Sequence, residues 1–205
     1  MPIIEKLNDL YVLLNRMYEP KNILIVNTQA TGLFLDKMCL NKCPIRIKYN
    51  SENINDFIAK VNHVIKMNKK FDLILVDPYH EYSHSSFIFK ILTPLLHDTT
   101  GILISHDCYP PTFAMTSPTY QKDEWCGVTY AAFIENAYNN PHFYYAVINT
   151  DYGLGILSTR PLTGLKKIST REKQEEFLRM FKNGEYENAY TYFTAHSTDI
   201  INLIN

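Results

Sequence analysis

Two short apolar runs, each ending on acidic or imidazole side chains and separated by one helix-length segment, constrain this chain more than any other feature. They frame Phe71 to Cys108, FDLILVDPYHEYSHSSFIFKILTPLLHDTTGILISHDC. Phe71 to Val76 runs into Asp77, and Gly101 to Ser105 runs into His106-Asp107. Apolar runs of this length without alternation suit strands buried on both faces. Between them Phe87, Ile88, Ile91, Leu92 and Leu95 recur at three- and four-residue steps, which predicts a helix laying one side on the sheet. Strand, helix and strand make a βαβ unit. In an open parallel sheet, ligands bind beyond the carboxyl ends of the strands, so Asp77, His80, His106 and Asp107 are expected to share one rim.

Such a rim suits two compatible chemistries. Carboxylates and an imidazole on neighbouring strand ends hold a divalent cation and leave positions open for substrate oxygens. A histidine there also serves as general base towards a hydroxyl, because its ordinary pKa lies near neutrality. The structural alternative is that Asp77 caps the helix, His80 packs in a loop and His106-Asp107 merely ends a strand.

The segment resembles the fourth strand, helix and fifth strand of class I S-adenosylmethionine (SAM) dependent methyltransferases. Their usual form is F-D-L-I-F-I-D-G-x-H-x-Y, a helix, then L-x-P-G-G-x-I-x-x-H-D. This chain has Phe71-Asp72-Leu73-Ile74-Leu75-Val76-Asp77-Pro78-Tyr79-His80-Glu81-Tyr82 and later Gly101-Ile102-Leu103-Ile104-Ser105-His106-Asp107. Within that family the sequence is similar to sugar and small-molecule O-methyltransferases. The resemblance implies Asp77 and Asp107 as ligands of magnesium or another divalent metal, and His80 as the catalytic base. His106, also placed with the metal, stands where an acid is often found. Trp125-Cys126-Gly127-Val128, read as part of the following helix, and Asp151-Tyr152-Gly153-Leu154-Gly155 resemble W-x-G and D-x-G-x-G pieces of related polysaccharide-cluster proteins. A role in surface-polysaccharide synthesis is the expectation this carries.

The remaining segments fit that frame. Met1 to Tyr18 carries Ile3, Ile4, Leu7, Leu10, Tyr11, Leu14 and Met17 at helical spacing, with an apolar face that covers the sheet or supports a homo-oligomer. Asn22 to Asn27 is the first strand. The loop after it, Asn27-Thr28-Gln29-Ala30-Thr31-Gly32, has one glycine where a SAM site normally has several. Asn27, Thr28 and Gly32 are the candidate SAM contacts, with Thr28 or Thr31 as a helix cap the alternative. Leu33 to Leu40 predicts a short helix and Pro44 to Tyr49 a strand. Glu52 lies 20 positions after Gly32, near the interval of a ribose-binding acid, and equally fits the start of the next helix. That helix is predicted from Ile54, Phe57, Ile58, Val61 and Ile65, with His63 on its surface.

Beyond Asp107, Cys108 to Glu124 reads as a long loop at the ligand edge. Tyr109 and Trp125 are candidate acceptor contacts, with packing the alternative use of both. Gly127 to Tyr138 predicts a helix, and His142 to Ile148 with Gly153 to Ser158 a hairpin. Pro161 to Ser169 links to a tail where Ser169 or Thr170 caps a helix bearing Phe177, Leu178 and Phe181. Asn183-Gly184 breaks it, and Tyr186, Ala189, Tyr190 and Phe193 continue.

Composition narrows the classes. The 205 residues, 46% of them hydrophobic, suffice for one core and are few for two, so residues 1–205 are expected to form one domain: an N-terminal helix over 1–20, a core over 22–159 and a helical tail over 165–205. The 20 basic and 21 acidic residues nearly cancel without a basic block, which argues against a nucleic-acid partner. Cys39, Cys43, Cys108 and Cys126 form no CxxC pair and read as reduced thiols of a cytoplasmic protein. No apolar run approaches the roughly 20 residues needed to span a bilayer, and no cleavable leader is evident.

The expected fold is therefore α/β: a Rossmann-like three-layer sandwich, its mostly parallel sheet ending in an antiparallel hairpin, with helical N- and C-terminal extensions. The expected function is SAM-dependent O-methylation of a sugar or small polar metabolite. The alternative is a methyltransferase-like fold that has lost SAM binding and serves assembly, or uses its metal rim for another reaction.

Overall fold

The computed structural model describes residues 19–28, 43–122, 124–167 and 171–205. Among them six strands form one sheet: β1 (Ile23–Thr28), β2 (Ile45–Tyr49), β3 (Leu73–Asp77), β4 (Ile102–Ser105), β5 (Tyr144–Ile148) and β6 (Leu154–Ser158). Their order across the sheet is β2-β1-β3-β4-β6-β5. The first four are parallel; β6 runs antiparallel to both β4 and β5. The architecture is α/β and Rossmann-like, with the expected antiparallel end. The expected N-terminal helix, the Leu33 to Leu40 helix, Gly32, Cys39 and the Ser169 or Thr170 cap lie outside the described residues.

The unbroken apolar strands follow from burial on both faces. Leu24, Val26, Ile74, Val76 and Leu103 point to one core, and Ile23, Ile25, Leu73, Leu75, Ile102 and Ile104 to the other. The first face is covered by helices α1 (Ile54–Lys66), α2 (Tyr82–Leu92) and α3 (Thr129–Asn139). Against the second, among the described residues, pack Leu162 and Leu165.

Local chemistry sets the helix ends and corrects some expected faces. Asn53 caps α1 by accepting from the Asn55 N–H. Its buried residues are Phe57, Val61 and Val64, whereas Ile65 is 42% exposed; one residue's rotation on a helix, about 100°, moves Val64 inward and Ile65 out. In α2, Ile88, Phe89 and Leu92 are buried, and Leu95 lies beyond the helix in a 3-10 turn, Thr93–Leu95. Pro94 lacks an N–H to continue the α-helical ladder. Trp125 to Val128 precede α3 rather than belonging to it, because Gly127 has φ of 55°.

The C-terminal tail is core, not appendage. Helices α4 (Glu172–Lys182), α5 (Tyr186–Ala195) and α6 (Ser197–Ile201) add Phe177, Leu178, Phe181, Ala189, Phe193, Ile200 and Ile201 to the first-face cluster. The turn between α4 and α5 is made at Gly184, φ 80°. Gln174, fully buried, donates to the Tyr145 hydroxyl (3.0 Å) and the Ile200 carbonyl (2.7 Å), tying α4 and α6 to β5. Ile204 then bridges Ile148 at the sheet edge.

Candidate functional site

The parallel register builds the rim. Asn27, near the end of β1, lies beside Asp77, the last residue of β3, and Val76 lies beside Ser105 at the end of β4. The His106 N–H extends this ladder to the Val76 carbonyl, at 3.2 Å. Asp107 then turns the chain off the strand with φ of 57°. Beyond it, the Cys108 and Tyr109 N–H groups donate to the carbonyls of Gly153 (2.9 Å) and Tyr152 (2.8 Å). The β5–β6 turn is thereby joined to the same rim. Strand order reverses between β1 and β3, the kind of switch point where open α/β sheets bind ligands, and Asn27 and Asp77 flank it.

His80 reaches the rim from the loop after β3. Its Nε2 lies 3.4 Å from Asp77 Oδ1 and 3.0 Å from Asp107 Oδ2. Its Nδ1 faces the Trp125 carbonyl at 2.8 Å, and its own carbonyl accepts from the Val128 N–H at 2.8 Å. The loop is held further by the Tyr79 N–H donating to the Tyr49 hydroxyl and Ser85 Oγ donating to the Tyr79 carbonyl. Both acids are buried, each 4% exposed. Acceptors thus face both ring nitrogens. Burial works against charge on the ring, but the hydrogen bond to Asp77 and the charges of Asp107 and Asp77 outweigh it and raise the pKa of His80.

His106 sits between two carboxylates. Its Nδ1 is 3.1 Å from Asp107 Oδ2 and its Nε2 is 3.4 Å from Asp151 Oδ2. Against the cost of burial, these two acids push its pKa up to about 11. The reciprocal effect appears on the acids: Asp107 is held below the usual carboxylate range by His106 and His80 despite burial, and Asp151 by its hydrogen bond to His106. Asp77, His106 and Asp107 each offer a ligand atom within 4.8 Å of the others, the one such metal-capable group of His, Cys, Asp and Glu among the described residues.

Asp151 was not among the residues selected from the sequence. The signal for it was nonetheless present. In an antiparallel terminal pair next to β4, the β5–β6 turn must fall at the carboxyl end of β4, where His106 begins. Asp151 (φ 47°), Tyr152 (φ 61°) and Gly153 (φ 90°) make that turn in the left-handed region.

The later glycines of the resemblance fit this geometry. A Cβ on Gly127 would lie 2.4 Å from the His80 carbonyl oxygen and 2.5 Å from its Cβ. One on Gly153 would lie 2.2 Å from the Tyr109 nitrogen, and one on Gly155 2.6 Å from Cys108 Sγ. These positions admit backbone close to the chain segments that carry His80 and follow Asp107.

The other selected residues are placed as follows. Asn27 and Thr28 are buried at the end of β1, with Asn27 Nδ2 donating to the Thr28 carbonyl at 3.0 Å. Glu52 is exposed in the turn after β2, one residue before the Asn53 cap, so it is not a first-turn helix acid. Trp125 packs its ring against Tyr79, His80 and Tyr120 and donates from Nε1 to the Ser117 carbonyl. The partly buried Tyr109 ring lies against Phe193 of α5, on the tail side of the rim. Cys108 and Cys126 are buried free thiols and Cys43 an exposed one. No helix among the described residues is long and apolar enough to cross a membrane.

No protein-family profile matches the sequence. No curated protein matches it either. Among solved structures, the chain is similar to a Staphylococcus aureus protein assigned as a caffeoyl-CoA O-methyltransferase, with 20% identity, a TM-score of 0.48, and 77% of this chain and 85% of that one covered.

Proposed function

We propose that the protein is a SAM-dependent O-methyltransferase acting on a hydroxyl of a small polar acceptor, with a sugar of a surface polysaccharide as the acceptor class. The observation that carries the reading is His80 held between Asp77 and Asp107 at the carboxyl ends of parallel strands, beside the switch point flanked by Asn27. Asn27, Thr28 and Gly32 would hold SAM, with Glu52 towards its ribose. Asp77, His106 and Asp107 would hold a divalent cation; two buried carboxylates beside an imidazole are a donor set that such an ion accepts. Tyr109 and Trp125 would flank the acceptor. In this reading residues 1–205 act as one cytoplasmic domain, and homo-oligomer formation is a property to be measured alongside.

SAM supplies the electrophilic methyl group. A divalent cation held by Asp77, His106 and Asp107 would supply positive charge that lowers the hydroxyl's pKa and offsets the carboxylate field around His80. The Trp125 carbonyl keeps a proton on Nδ1, so Nε2 is the atom that takes the acceptor's proton. The buried rim orients the hydroxyl and excludes water, and positioning of this kind supplies much of the acceleration in two-substrate reactions.

Calorimetric titration of the folded protein with SAM and with S-adenosylhomocysteine, each with and without divalent metal, tests the reading. Saturable binding that a bulky residue at Gly32 weakens supports it. A second reading rests on the single glycine between Asn27 and Gly32: a methyltransferase-like fold without the cofactor, serving assembly or using its metal rim for another reaction. No heat with either ligand selects that second reading. Methyl transfer unchanged in His80→Ala or Asp77→Ala overturns the assigned chemistry.

A further inference from the structure

We propose that Asp77, Asp107 and His106 form a mixed carboxylate and imidazole site selective for a first-row transition-metal dication, such as Co2+, Zn2+ or Mn2+, over Mg2+. The inference rests on the reading of this rim as a cation site and names the class of cation.

The argument begins with the donors. Mg2+ favours oxygen ligands and keeps several waters, whereas imidazole nitrogen favours Zn2+, Co2+ and related ions. Here one nitrogen-bearing side chain, His106, belongs to the three-residue group whose ligand atoms lie within 4.8 Å of one another. Metal–ligand bonds of about 2.1 Å place donors on one ion between about 3 and about 4.2 Å apart. Drawing the group together therefore asks for side-chain movements of well under an ångström.

An independent observation is how the His106 ring is held from outside. Metal-ligating histidines characteristically engage a carboxylate or backbone carbonyl through the nitrogen that does not bind the ion, which orients the ring. His106 has this arrangement, with Nε2 towards Asp151 and Nδ1 on Asp107. Asp151 lies on the outer side, its side chain 43% exposed, while Asp107 is 6% exposed on the same scale. Asp151 is thus a positioning residue, and its place in the β5–β6 turn accounts for why that turn is fastened to the rim through Cys108 and Tyr109.

The test uses tag-free, full-length, chelator-stripped protein. Mg2+, Mn2+, Co2+ and Zn2+ are titrated calorimetrically, and bound Co2+ is followed by its visible absorption and by hyperfine-shifted proton resonances of the coordinated imidazole. Co2+ and Zn2+ are expected to bind at least about 100-fold more tightly than Mg2+, with a ring N–H resonance from one histidine. His106→Asp should narrow the preference and shift the Co2+ spectrum, and Asp151→Asn should weaken Co2+ about 10-fold, the usual scale for outer partners of metal ligands. Comparable Mg2+ and Co2+ affinities overturn the proposal. So does the absence of binding by any ion to folded wild-type protein, which identifies the cluster as a closed ion-pair network. The preference over Mg2+ and the histidine resonance are both read on wild type, so the proposal stays refutable if His106→Asp does not fold. SAM titration on the same preparation separates the readings: selective metal binding without SAM binding leaves this site standing and removes the methyltransferase assignment, and SAM binding with Mg2+ preference does the reverse.

Discussion

Replacing Gly127 by alanine tests whether the backbone before α3 buttresses His80. Gly127 has φ of 55°, a conformation that costs an L-residue about 1–2 kcal/mol. Its new methyl group would also lie 2.4 Å from the His80 carbonyl oxygen and 2.5 Å from its Cβ, far inside contact distance. Because that carbonyl is bonded to Val128 N–H, and the His80 ring to the Trp125 carbonyl, the loop cannot retreat without losing a hydrogen bond. Overpacking of this kind costs about 1–3 kcal/mol more. The sum is roughly 2–5 kcal/mol, or about 4–20 °C in Tm for a chain of this size. Gly184→Ala is the control. Its φ is 80°, yet nothing lies within 4 Å of the added methyl, so only the conformational cost of about 1–2 kcal/mol applies. The loss of unfolded-state freedom is common to both variants and cancels. Thermal and urea denaturation of the two, side by side, should find Gly127→Ala the less stable by about 1–3 kcal/mol. Equal destabilisation would refute the buttress, as would a Gly127→Ala protein with wild-type stability.

Two further predictions concern the ends of the sheet remote from the rim. Asp72 accepts from the Lys21 and Asn22 N–H groups, each at 3.0 Å, and from the Thr100 hydroxyl at 2.7 Å. Burial raises its pKa, but these bonds outweigh burial and hold it below the usual carboxylate value. Its contribution is therefore present above about pH 3.9, the unfolded value, and is lost as pH falls through the depressed folded value. Urea denaturation across that acid range should show a pH dependence that Asp72→Ala reduces; an unchanged slope refutes it. Gln174→Leu removes the Nε2 hydrogen bonds to the Tyr145 hydroxyl of β5 and the Ile200 carbonyl of α6, and is expected to cost about 1–3 kcal/mol, with urea denaturation as the assay and a change under about 0.5 kcal/mol as the refuting result.

The sequence by itself determined the strands and much of the rim. Leu73 to Val76 and Ile102 to Ile104 are apolar at every position before their terminal polar residues, because both sheet faces are buried; that pattern needs no partner to be legible. The acids and histidines that follow them are confined to one edge by parallel pairing alone. Helix faces were less legible: Ile65 and Val64 are both apolar neighbours, and only packing against the sheet decides which is buried. The tail helices were legible from Phe177, Leu178 and Phe181 at helical spacing, but the hydrogen bond that ties α4 to β5, from Gln174 to Tyr145 29 positions away, was not.

Tertiary structure alone decided the pairing of the site. Sequence proximity puts His80 three residues from Asp77, but its 3.0 Å contact is with Asp107, delivered by the next strand. The Trp125 carbonyl that fixes its ring comes from 45 positions downstream, and the Asp151 that flanks His106 from a hairpin turn folded back antiparallel onto β4. The physical reason is that side-chain identity sets what chemistry a residue offers, whereas strand order and turn geometry set which charges meet. Those meetings determine whether a buried histidine is neutral, ion-paired or available to a metal.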